Sequence, residues 1–418
     1  MSRNVPKLRF KGFEDEWKEY RLGDFLDFYS TNSLSRDCLN SEDGEVQNIH
    51  YGDIHMKFPT ILDIQKYDLP FINSDIDISK IKDDSFCRDG DIVIADASEN
   101  YDDIGKSIEV ENISNNKVVA GLHTILCRDN KNMTANGFKG YMLSNEYIRK
   151  QIKVLAVGTK VLGISKTNLS TIKANMPSLQ EQEKIANFLS KVDSIIEKQE
   201  KKVQYWNSYK KGMMQKIFSQ KIRFKDGNGM DYPEWEKKNL KYVLSEISEK
   251  TKENNQYEVL SSTANGVFKQ SEYFNREIAS ADNTGYKILR LNQIVLSPQN
   301  LWLGNINYNN KYDMGIVSPS YKIFNINKNL NEKYISYIIK TDRMLYGYKQ
   351  ASEQGASVVR RNLNMDLFYD ILINIPCVEE QEKIANFLSN IDNIIEKESK
   401  KLEELRQWKK GLLQQMFV

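Results

Sequence analysis

The sequence predicts an α+β fold in which two globular domains are separated by two long antiparallel coiled-coil helices, with a pseudo-two-fold internal repeat. Three observations carry that expectation. Residues 177–218 and 376–417, which share the string EQEKIANFLS, are identical at 23 of 42 paired positions, at a constant offset of 199 residues with no gap. Both copies place apolar residues at steps of three and four, the period of a long helix. Each copy follows a segment of mixed helical and strand pattern that opens on the same leader.

In the first repeated stretch the expected seam is Ile185, Phe188, Val192, Ile195, Val203 and Trp206, and in the second it is Ile384, Phe387, Ile391, Ile394, Leu402 and Leu405. A narrow apolar line with charges around the rest is what a two-helix coiled coil requires, so each helix needs a partner, most simply the other copy. Ser178 and Glu181 form an S-x-x-E capping box at the first start, and Cys377 replaces the serine in the second. Pro177 and Pro376 mark the boundary ahead of each helix. About 38 helical residues at 1.5 Å each span roughly 57 Å, the length of a spacer. Lys210-Lys211-Gly212 and Lys409-Lys410-Gly411 sit late in the two helices. A glycine there costs about 1 kcal/mol against alanine, which points either to close backbone approach or to a repeat retained from recent duplication.

The expected division is residues 1–176 for the first globular domain, 177–220 for the first helix, 221–375 for the second domain and 376–418 for the second helix. Leu8-Arg9-Phe10 with Glu16-Trp17 is echoed by Ile222-Arg223-Phe224 with Glu234-Trp235. Strand-like runs follow at 91–94 and 293–296, then polar and aromatic loops at 98–105 and 297–304 that close on glycine. Second β-rich runs at 118–127 and 316–324 precede helical patterns at 138–143 and 334–339. Gly-led polar segments at 158–166 and 355–361 lead back to the long helices. If those helices pair, chain order makes them antiparallel and brings the C-terminus back to the first globule, a dumbbell.

The 418 residues are 28% charged and 40% apolar, with a formal net charge of +2. This balance excludes a bulk polycation, so any nucleic-acid partner must be met by local basic surface. The N-terminus lacks an apolar signal core and no run of 18 apolar residues occurs, which reads as a cytoplasmic protein without a membrane partner. Cys38, Cys87, Cys127 and Cys377 show no CxxC spacing, and His50, His55 and His123 do not recur at ligand intervals, so neither metal nor disulfides are expected. Asp103-Ile104-Gly105-Lys106-Ser107 ends like a phosphate-binding loop, but Asn100 stands where the motif needs its first glycine. No Pro-Pro, HExxH or Ser/His/Asp order points to catalysis.

Divergent loops on matched scaffolds suit the reading of two different targets at a fixed separation. Half-sites on one face of duplex DNA lie about 34 Å apart or a multiple of it. Ser98, Asn100, Gln299 and Asn300 are candidates for polar contacts in such loops, Asn and Gln being suited to base edges. Tyr101 and Trp302 are candidates for stacking or wedging, or else pack the globules. Lys106, Lys160, Lys166, Arg360 and Arg361 are candidates for phosphate contacts.

The doubled Pro-x-x-x-Glu-Gln-x-x-Ile-Ala-x-x-Leu at 177–189 and 376–388, and Lys-Lys-Gly-x-x-Gln at 210–215 and 409–414, resemble the specificity subunit of type I restriction-modification systems. The resemblance covers nearly the whole chain. It implies a non-catalytic reader of double-stranded DNA with two target-recognition domains, each binding half of an asymmetric bipartite site, the helix pair setting an unspecified spacer. It also implies two methyltransferase subunits and, for cleavage, two restriction subunits. S-adenosylmethionine, ATP and Mg would then belong to those partners, with no cofactor on this chain. The competing reading is a tethering protein that holds two protein-binding domains on a coiled coil without DNA.

Overall fold

The computed structural model describes residues 4–273, 281–354 and 361–418. The chain divides into two units, one comprising residues 1–201 with 400–418, the other residues 202–399. Each unit therefore takes one half of each long helix.

Unit one is built on a five-stranded sheet in the order Asp27–Tyr29, Thr124–Arg128, Ile92–Ala95, Ser107–Glu111, Ile61–Asp63. Its neighbours are antiparallel except the last pair. The continuous apolar run Ile92–Ala95 lies in the middle, buried throughout, as an unbroken apolar run demands. A second sheet joins Val118–Ala120, Gln47–Ile49, Phe71–Ile72 and Leu39–Asn40. The β-rich run expected at 118–127 is thus two strands in two sheets. Gly121 and His123 break it, His123 taking a left-handed φ of +52°. The helix Phe138–Ser144 is buried at six of its seven residues. The Glu109 carboxylate supplies acceptors at its start, taking the amides of Gly137 and Gly140 at 2.7 and 2.8 Å, with Lys139 at 3.2 Å.

Unit two repeats the central sheet with different side chains, but in place of the four-stranded second sheet it has, among the described residues, two-stranded sheets, Leu260–Thr263 with Gly266–Lys269 and Lys287–Arg290 with Met314–Val317. Its central sheet runs Leu244–Ile247, Lys322–Ile326, Ile294–Leu296, Ile306–Tyr308, the order of the first four strands of unit one. Ile92 sits opposite Cys127, as Ile294 sits opposite Phe324. At the strand mouth the buried Asp91–Arg128 ion pair (2.6 Å) of unit one becomes a Gln293–Asn325 amide pair (2.9 Å) in unit two. In both units a leader strand pairs antiparallel with the strand entering the long helix, Lys18–Arg21 with Lys173–Met176 and Glu236–Asn239 with Leu372–Ile375.

The long helices are Leu179–Phe218 and Val378–Met416. In unit one their halves run antiparallel, with Phe188 against Trp408 at 6.4 Å and Glu200 against Arg406 at 2.7 Å. In unit two, Lys202 meets Glu398 at 2.8 Å and Lys210 meets Asp392 at 2.5 Å. The buried line in the first helix is Ile185, Leu189, Val192 and Ile196, and not the predicted line through Phe188 and Ile195. Ile195 is 47% exposed while Ile196 is 9% exposed. In the second helix Ile384, Leu388, Ile391 and Leu402 are buried, and Phe387, Ile394 and Leu405 are half-buried flankers. Val203 and Trp206 are also half-buried.

Two further expectations change. Both oxygens of Glu181 accept from Arg9 at 2.8 Å, so that carboxylate ties the leader to the helix instead of closing a capping box. Cβ atoms built on Gly212 and Gly411 would meet nothing within 4 Å, so no close approach among the described residues of this chain demands either glycine.

Candidate nucleic-acid interface

The repeated motifs hold each globule to the helix that leaves it. Glu380, fully buried, accepts from Arg223 at 2.9 and 3.3 Å and from the Trp235 indole at 2.9 Å, the counterpart of the Arg9–Glu181 fork. Trp17 Nε1 finds no such acceptor. Next in sequence, the Gln182 carbonyl accepts the Ala135 amide at 2.9 Å and its amide donates to Met133 and Pro177 carbonyls. Gln381 accepts the Asn331 amide at 2.8 Å and donates to Pro376 O at 2.9 Å. The Glu-Gln pair is thus a latch, its carboxylate facing the leader and its amide facing the globule.

The Lys-Lys-Gly motif closes a second matched triad. Tyr141 donates to Asp193 at 2.8 Å while Lys409 bonds the other oxygen at 2.5 Å and lies 5.6 Å over the tyrosine ring. Tyr337, Asp392 and Lys210 repeat this at 2.6, 2.5 and 5.1 Å. Burial and the neighbouring carboxylate push both phenols well above their ordinary range, so each stays a donor. These contacts recur in both units, whereas the loops at 98–105 and 297–304 differ.

In unit one the loop after Ala97–Ser98 spends most of its polar groups on itself. Ser98 is 6% exposed and its Oγ accepts the Asn100 amide at 3.2 Å, so it shapes the loop from within. The Asn100 carbonyl accepts the amides of Asp102 and Asp103 at 2.9 Å, and its NH2 donates to Asp103, which leaves one N–H for a ligand. Lys106 is half-buried and donates to His55 O at 2.7 Å, and burial lowers its pKa; it braces the loop and does not reach outward. Tyr101, 56% exposed, stands out from the loop tip. Lys160 is exposed, and so is Lys166, whose ammonium reaches Tyr29 O at 2.9 Å.

In unit two the corresponding loop is a 3₁₀ turn, Pro298–Leu303, with proline at its start and Gly304 (φ +86°) at its end. Gln299 is exposed on it and Asn300 is half-buried. The Arg361 guanidinium lies 4.5 Å over the Trp302 ring, which joins two predicted residues in one cation–π pair. Arg361 Nε is buried without a hydrogen-bond partner. Arg360 lies outside the described residues.

Sequence reasoning passed over one cluster. His50, His55 and His123 all gather around the Tyr51 ring, at 4.7, 5.9 and 5.3 Å, although they are up to 73 residues apart in the chain. His123 Nδ1 lies 3.5 Å from Asp96. Among the described residues, no group of three His, Cys, Asp or Glu is placed to hold a metal ion, and no helix is long and apolar enough to cross a membrane.

Two units with one central-sheet plan and different loops define a class, a duplicated binding protein with two recognition surfaces. Comparison with known proteins narrows it. The family model described as the type I restriction modification DNA specificity domain matches residues 14–204 and again 232–407. The chain belongs to that family. It is 25% identical over 305 residues to the type I restriction enzyme MjaVIII specificity subunit of Methanocaldococcus jannaschii, covering 66% of this chain and 67% of the relative. It is 27% identical over 316 residues to the putative MjaX specificity subunit of the same organism, covering 70% of each. The fold resembles the crystal structure of a type I restriction-modification S subunit from M. genitalium, with a TM-score of 0.53 at 14% identity over 99% of both chains.

Proposed function

We propose that this DNA-specificity subunit reads an asymmetric bipartite site, one half with each unit, and that the paired helices set the gap. The observation that supports this most is the pairing of matched latches with unmatched loops. The Glu-Gln and Tyr-Asp-Lys contacts recur almost atom for atom, while Tyr101 in one unit answers to a Trp302–Arg361 stack in the other. The chain acts without catalysis of its own. In this reading two methyltransferase subunits methylate adenine in each half, and two restriction subunits join for cleavage. S-adenosylmethionine, ATP and Mg are then theirs, and the assembly is cytoplasmic.

The helix faces support the partner reading. Unit two has a cavity of about 900 Å³ beside Lys211, Gly212, Met214 and Ile338. Unit one has one of about 600 Å³ beside Lys410, Leu413, Ile61 and Tyr141. The first cavity is lined by Gly212 itself, and the open space beside both Gly212 and Gly411 suits the close approach of another chain's backbone.

Inserting four residues into both helices tests the ruler role. One turn adds roughly 6 Å, close to two base pairs along the DNA axis. The methylated motif should keep both halves with a changed gap, and an unchanged gap would refute the role.

A further inference from the structure

We propose that Asp96 and His123 read one base edge of the first half-site, the Asp96 carboxylate accepting from an exocyclic amino group of cytosine or adenine in the major groove. The inference rests on the DNA-reading role above and deepens it for unit one.

The pair lies in an open cavity of about 570 Å³ whose other walls are Val157, Val161, Ile164 and Asn168. Three chain segments fix it through backbone bonds. The Asp96 amide donates to His123 O at 3.0 Å, the Ile164 amide donates to Asp96 O at 2.9 Å, and Val157 and Gly163 exchange bonds at 2.9 and 2.8 Å. Leu162 pairs with Ser98, so the cavity opens at the base of the loop that carries Tyr101. A site on paired backbone holds its side chains more closely than a free loop does.

The walls are unusual for a surface that meets only water. Val157 and Val161 are 73% and 57% exposed on one tight turn. Gly158 makes that turn at φ +145°, where an added Cβ would stand 2.0 Å from Val161 O. Exposed methyl groups beside polar readers match a base edge, where thymine offers a methyl group and its neighbours offer donors and acceptors. His123 takes a left-handed φ, which histidine adopts more readily than most side chains, and its ring contact with Tyr51 and the Asp96 amide on its carbonyl hold it there.

The carboxylate is the telling group. On a surface that faces phosphates it is repelled, so it weakens binding to every sequence except one that presents it with a donor. Burial raises the Asp96 carboxyl against the pull of His123 and Lys166, so it gains from a further donor. By strand register the equivalent positions in unit two are Pro298 and Ser320, so the pair stands where the two scaffolds differ.

The test uses the chain assembled with its methyltransferase subunit. Methylome sequencing in a methylation-free host defines the wild-type motif, and binding to duplexes changed at each position then reads discrimination. Asp96→Asn should lower discrimination at one base pair of one half-site by about 5- to 150-fold. It should leave the other half-site unchanged and raise affinity for unrelated DNA, because a negative charge is gone. His123→Asn, which tolerates the left-handed backbone, should relax the same half-site. An unchanged motif in both variants overturns the proposal and leaves the DNA-reading role intact. So does loss of methylation at all sequences in a complex that still assembles, which marks a structural role. Absence of any motif for the assembled wild-type complex overturns the role on which the proposal rests.

Discussion

Replacing Glu380 by alanine tests whether the repeated Glu-Gln motif is the latch described. Glu380 is fully buried and accepts three hydrogen bonds, two from the Arg223 guanidinium and one from the Trp235 indole. The Arg223 side chain is 18% exposed, so water recovers only part of its loss. Removing one partner of a buried ion pair costs about 3–5 kcal/mol, and the orphaned indole N–H adds a share of about 1–3 kcal/mol within that range. A value of about 4 kcal/mol follows. At Glu181 the Arg9 fork is shorter, at 2.8 Å for both bonds against 2.9 and 3.3 Å at Glu380, but the Trp17 indole has no partner to lose. Glu181→Ala should therefore cost about 1 kcal/mol less. Urea unfolding of the full chain, followed by tryptophan fluorescence and far-ultraviolet circular dichroism, measures both. A cost below about 1 kcal/mol for Glu380→Ala, or a larger cost at Glu181, would refute the latch.

The other predictions concern the seam, the triads, the glycines and the second loop. Ile196→Ala should cost about 2–5 kcal/mol and Ile195→Ala less than about 1 kcal/mol, because only the first leaves a cavity; urea midpoints distinguish them. A double-mutant cycle of Asp193→Ala and Lys409→Ala should show a coupling of about 0.5–3 kcal/mol, and strict additivity would mean that the ion pair does not hold the helix halves in register. Gly212→Ala and Gly411→Ala should each stabilise the isolated chain by about 0.5–1 kcal/mol, since nothing meets the new Cβ, while co-purification with the methyltransferase subunit should fall. Arg361→Ala strips the guanidinium from the Trp302 face and should relax or weaken one half-site alone in a methylome readout; equal loss at both halves would count against it.

Much of the architecture was legible because it is stated twice. The 199-residue offset and the heptad-like spacing give two long helices, and the repeated leader gives two units. What a single chain could not disclose was the partner of each group. Ile195 and Ile196 are adjacent, so periodicity alone gives no choice between them, and packing selects the second. Glu181 looked like a local cap because Ser178 is three residues away, whereas its bonds go to Arg9, 172 residues distant. Composition marked Ser98, Asn100 and Lys106 as polar loop residues, but only the folded loop shows their hydrogen bonds turned inward. The Asp96–His123 cavity left no signal at all, since its three segments come from 96–98, 123 and 157–168 and meet only through strand pairing. The Trp302–Arg361 stack was half visible, each residue being singled out and neither assigned to the other.

The most direct test of the central claim is methylome sequencing of a methylation-free host that expresses this chain with its methyltransferase subunit, set against the methyltransferase subunit alone. The account predicts a new bipartite adenine-methylation motif with two unlike halves around a fixed unspecified gap, present only when both chains are made. A complex shown to assemble that leaves the host without such a motif would contradict it.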